Sequence, residues 1–146
     1  MVLGDMEAVK GFLFQKHQEG ELNMNKLGIV ACEFSASVAL AYTEVDWEKE
    51  PYDDSASEKE RTPRGQDVQA LVLISPDATT SGLSPLKSAA NLRGLPKLAV
   101  MVASGDNSQD QATSKKLYDA VAVKREKADH LTLKKYPEDI RGMALM

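Results

Sequence analysis

The sequence predicts an α/β fold: a four-stranded, mostly parallel sheet with crossover helices. Three observations predict it. Four short apolar runs read as strands, and segments with helical spacing separate them in strict alternation. The third is size. The chain has 146 residues, of which 42 % are hydrophobic, and a formal charge of -4, which fits one domain over 1–146 with one core.

The first helix is expected over 5–19, "DMEAVKGFLFQKHQE". Met6, Val9, Phe12 or Leu13, and Phe14 or Lys16 fall near one face, and Asp5 and Glu7 sit near the favourable end of the dipole. Gly20 is a natural stop. "ELNMNKL" then connects to the strand 27–31, "LGIVA". That strand is apolar without alternation, as in a sheet covered on both faces. A second helix over 34–46 opens with Ser35, Ala36, Ser37 and Ala39, small enough to let it approach the strand it leaves. The stretch "DWEKEPYDDSASEKERTPRGQ" has no apolar period and contains two prolines. It reads as a polar surface excursion over about 47–66.

"VQALVLISP", 68–76, is the strongest strand, and "DATTSGLSP" loops out from it. A short helix over 85–93 begins at Pro85. The third strand is 96–104, "PKLAVMVAS", with Pro96 at its start. "GDNSQDQ" turns into a helix over 109–123, where Ala112, Lys115 or Lys116, Leu117, Ala120 and Val121 have helical spacing. In the fourth strand, 130–136, Leu131, Leu133 and Lys135 alternate with Thr132 and Lys134, as at a sheet border. Pro137 ends it. In a parallel sheet, functional loops follow the carboxyl ends of the strands: here 32–35, 75–80, 104–110 and the segment after Tyr136.

Composition narrows the function classes. Lysines are interspersed with acids as on a solvated surface, which argues against a nucleic-acid binder. Two distant histidines, His17 and His130, with the one cysteine, Cys32, do not make a zinc site, and no disulfide can form within the chain. No cofactor or metal is expected. No apolar run reaches membrane-spanning length. The first residues lack the basic and apolar regions of a signal peptide, so the expected location is cytoplasmic.

The arrangement resembles the C-terminal half of an α/β-hydrolase, most closely a planctomycete-type bacterial group. "QDVQALVLISP" is similar to the strand after the nucleophile helix, and "KLAVMVASGDNSQDQATSKKLYDAV" to the strand, acidic turn and helix that follow. The resemblance implies a nucleophile elbow, G-x-S-x-G, at the first strand-to-helix corner. It falls on Ala31, Cys32, Glu33, Phe34 and Ser35, with Glu33 in the serine's place. A rival alignment, with Ser35 as nucleophile, needs extra residues in the turn. Asp106 matches the position of the triad acid. The histidine should follow the last strand, but that segment reads "YPEDIRGMALM", with Arg141 about where a His-Gly pair would stand. Glu33 and Asp106 are therefore vestigial candidates, and the relay lacks its base.

Each singled-out residue also has a plain structural role. Glu33 fits a helix-capping or solvent-facing acid, or a salt bridge with Arg141 or Arg93. Cys32 fits a small buried residue, Trp47 the end of the second helix, and Asn107 and Ser108 a helix cap. Sequential strand order puts all crossover helices on one face. The other face would then expose an apolar patch, which implies a homodimer or a complex with another chain. The expected function is that of a non-catalytic, hydrolase-like domain with a structural or protein-interaction role. Two competing expectations are an esterase-like hydrolase completed by a partner chain and a small-molecule binding module.

Overall fold

The computed structural model describes residues 2–80, 82–95, 97–123 and 130–145. Helix α1 (Val2–Gln18) leads through a 3-10 turn to β1 (Leu27–Cys32), followed by α2 (Phe34–Trp47) and β2 (Val68–Ile74). Next come α3 (Pro85–Asn91), β3 (Ala99–Ser104), α4 (Ser108–Ala122), β4 (Leu131–Lys135) and a terminal 3-10 turn, Gly142–Leu145. The four strands form one sheet in the order β1-β2-β3-β4. Every pair is parallel. The expected α/β class is the observed one, and the sheet is wholly rather than mostly parallel.

Local chemistry explains most boundaries. Gly20, at φ 79, stops α1: its N–H reaches the His17 carbonyl while that of Glu21 reaches the Lys16 carbonyl, the paired bonds of a Schellman stop. The Asn107 side chain accepts the backbone N–H groups of Gln109 and Asp110 and so starts α4. Pro85 occupies the first turn of α3. The expected helix 85–93 divides into α3 and a 3-10 turn, Leu92–Gly94. The second strand stops at Ile74, short of 76, because Ser75 turns to φ 44. The third begins at Ala99; Pro96 lies outside the described residues.

The crossovers leave α2, α3 and α4 side by side, with α1 against α2. Leu71, Leu73, Val100, Val102 and Leu131 bury one sheet face against this layer, and Leu40, Tyr42, Leu117 and Val121 fill it from the helix side. On the other face, the register aligns Val30, Val72 and Met101, and then Cys32, Ile74 and Ala103. Ile74 and Ala103 are buried, and the turn Gly142–Leu145 packs against β2. Exposure on this face is therefore not uniform. Its exposed large apolar side chain is at the β1 edge, where Val30 is 57 % exposed.

The polar excursion is tied down by its own polar groups. Tyr52 N–H bonds to the Thr62 carbonyl, and Gln66 N–H to the Asp46 carbonyl. Arg61 bridges Asp53 and bonds to the Ser55 carbonyl. Trp47 ends α2 and donates its indole N–H to the Val68 carbonyl at 2.9 Å, which fixes the start of β2.

Candidate functional site

The carboxyl ends of the four strands meet at one crevice. At its β1 side, Glu33 N–H continues the parallel ladder to the Ile74 carbonyl at 3.0 Å. The backbone then turns sharply, with Glu33 at φ 52, ψ -126, a region that disfavours any side chain. The Ser35 hydroxyl holds the corner from inside. It donates to the Cys32 carbonyl at 2.6 Å and accepts the Cys32 N–H at 3.0 Å. That double engagement makes Ser35 a backbone brace. Glu33 occupies the cap position of α2 but makes no side-chain capping bond. Cys32 is half-buried and free.

The β2 loop folds onto this corner: Asp77 N–H points to the Glu33 carbonyl at 3.4 Å. The Thr80 and Ser37 hydroxyls pair at 2.7 Å and bind the loop to α2. The β3 loop contributes two acids with different surroundings. Asp106 is exposed and accepts from Gln111 Nε2 at 3.0 Å. Asp110, in the first turn of α4, is buried.

The segment after β4 crosses the crevice. Tyr136 N–H bonds to the Ser104 carbonyl, and Asp106 N–H to the Glu138 carbonyl. Gly105 permits this crossing, since a methyl group there would lie 2.1 Å from the Ile140 carbonyl oxygen. Arg141 then reaches in. Its Nε lies 2.9 Å from Asp110 Oδ1, and an outer nitrogen 2.6 Å from Asp77 Oδ1. Gly142, at φ 60, lies so close to Glu33 that an added methyl would sit 2.8 Å from the carboxyl carbon.

Arg141 is thus the hub, joining carboxylates from two loops with Glu33 beside it. Partial burial alone would lower its pKa, but the charge of Asp110, the bond to Asp77 and the charge of Glu33 outweigh that and raise it. A small cavity of about 230 Å³ remains, lined by Pro76, Asp77, Asn107, Asp110, Thr113 and Arg141. Three carboxylates around one permanently charged guanidinium make a cross-linked plug. Arg93 is not part of it.

Neither imidazole is here. His17 Nδ1 lies 3.0 Å from the Leu22 carbonyl, ahead of β1. His130 precedes β4, and its carbonyl accepts the Val100 N–H, so it stands at the amino ends of the strands. Among the described residues, no group of three His, Cys, Asp or Glu side chains is placed to hold a metal ion. No helix among them is long and apolar enough to cross a membrane. Sequence reasoning placed Glu33 and Arg141 at the crevice, but it singled out Asp106 rather than Asp110 and passed over Asp77. The invisible signal was burial: both acids follow strand ends, and only the arrival of Arg141 distinguishes them. No family model, curated protein or solved structure matches this chain.

Proposed function

We propose that this is a non-catalytic α/β domain whose role is structural or protein-interacting. The observation that carries this reading is the Arg141 cross-link between Asp77 and Asp110. It fills the place where a nucleophile–base–acid relay would need its proton carrier, and a guanidinium does not give up its proton near neutrality. Glu33 keeps the sharp corner of a nucleophile turn but offers a carboxylate, and Ser35 spends its hydroxyl on the backbone. The segment after β4 crosses the crevice and ties its loops together. The apolar exposure at the β1 edge supports an interaction role.

A panel of short-chain p-nitrophenyl and thioester substrates tests the reading. The expected result is no turnover above that of Glu33→Gln or Asp110→Asn. Wild-type turnover abolished by either change, or by Asp106→Asn, would overturn it in favour of an esterase-like enzyme. A saturable small-molecule shift in melting temperature, removed by Arg141→Ala without any turnover, would instead favour a binding module.

A further inference from the structure

The two edges of the sheet are built differently. β4 presents Thr132, Lys134 and Lys135 as exposed residues, the charged pattern that keeps an edge from pairing. β1 reads "LGIVAC", with neither charge nor proline, and its one irregularity is a register shift at Leu27/Gly28. Among the described residues, β1 pairs with β2 alone. A protected edge and an unprotected one on the same sheet imply that the second is covered.

The hydrogen-bonding parity identifies what β1 offers. Glu33 N–H points to β2, so in a parallel ladder Ala31 and Ile29 do likewise, while Gly28, Val30 and Cys32 point outward. Ser35 already satisfies both backbone groups of Cys32. Gly28 and Val30 are left with outward donors and acceptors. They are two residues apart, and an antiparallel copy of the same strand matches that spacing. A two-fold axis beside Ile29 sets each Gly28 against the partner's Val30, and every outward group of the two residues finds a mate.

The side chains at this edge agree. Val2 and Val9 of α1, Val30, and Phe34 of α2 are all exposed. They line two adjoining grooves along β1, with Met6, Leu13 and Ile29. The charged residue in those grooves, Lys10, is already paired with Asp46 and Asp67. An uncharged apolar patch can meet its own copy without repulsion, as an isologous interface requires. None of α1's residues is buried, so the helix has apolar surface to give to its counterpart.

We propose that the chain forms a two-fold dimer through antiparallel pairing of β1 with β1, centred on Ile29, joining the two sheets into one. The occupant of the free edge is a second copy of this chain, and the reading of the crevice does not enter the argument. Sedimentation velocity over a hundredfold range of protein concentration should show a two-copy species, and Val30→Lys should convert it to a folded monomer. In a Cys32→Ser background, Ile29→Cys should cross-link within the dimer under mild oxidation, while Thr132→Cys on the opposite edge should not. The amides of Gly28 and Val30 should exchange at least tenfold more slowly in concentrated than in dilute protein. A monomer at every concentration would overturn the proposal. So would a dimer that cross-links through Thr132, or one that leaves the two amides fast. If Val30→Lys unfolds, the cross-link and the amides decide by themselves.

Discussion

The Lys10 ammonium lies 2.6 Å from Asp46 Oδ1, and the Asp46 side chain is fully buried. The other carboxylate oxygen accepts the backbone N–H groups of Asp67 and Val68, and Lys10 also contacts Asp67. One acid on α2 therefore fastens α1 to the helix layer and fixes the residues that enter β2. Gly65 completes the junction, because a side chain there would run into the Asp46 carbonyl.

Removing that acid should be costly. Asp46→Ala leaves two backbone donors without their acceptor and the Lys10 ammonium with Asp67 alone, so it should cost about 3–5 kcal/mol, the range for breaking a buried pair from one side. Urea unfolding measures it. Lys10→Met should cost less, since the two backbone donors still hold the carboxylate.

The same junction sets a pH dependence. Burial alone would raise the pKa of Glu7, but the 2.6 Å bond from Lys49 and the charges of Lys49 and Lys10 outweigh it and hold it below its ordinary 4.5. A lowered carboxyl contributes stability that is present above pH 4.5 and lost as pH falls through the folded value. Burial alone would lower Lys10, yet Asp46 and Asp67 raise it above its ordinary 10.5. Its contribution is present below pH 10.5 and lost only as pH rises through the raised value. The urea midpoint should therefore fall below about pH 4.5, and Glu7→Gln should flatten part of that fall.

Glu33→Gly should stabilise the domain by about 1 kcal/mol, because glycine accepts the corner's φ 52, ψ -126 without the strain of a side chain. Thermal melting reads the sign. A loss would show that the carboxylate's attraction to Arg141 exceeds the backbone strain.

Gly105→Ala should free the terminal segment. The new methyl would meet the backbone oxygens of Ile140 and Glu138 at 2.1 and 2.8 Å, and backbone cannot swing aside as a side-chain end can. The cost should be about 1–3 kcal/mol, typical of overpacking. Tryptic cleavage after Arg141 should become several-fold faster than in the wild type.

The corner and the caps were legible because their causes are local. Small residues at 35–37, Gly20 after a helix, Asn107 two residues ahead of the N–H it accepts: each acts within a few positions of itself. The crevice was half legible. Glu33 is placed by its own strand and helix, and Arg141 by the end of β4. Choosing Asp110 over Asp106 depends on a contact 31 residues along the chain, which no local pattern carries. The same holds for Asp46, which reads as one more acid at a helix end and proves to be the buried junction of three elements.

By itself the sequence determined the alternation of strands and helices, the parallel sheet, and the lack of a histidine within residues 136–146. These follow from apolar period, turn chemistry and simple composition. Tertiary structure decided which acids lose their water, which serine hydroxyl turns inward, and which loops Arg141 joins. Burial and pairing arise only when distant segments meet, and the free energy of a charge depends far more on those neighbours than on its place in the chain.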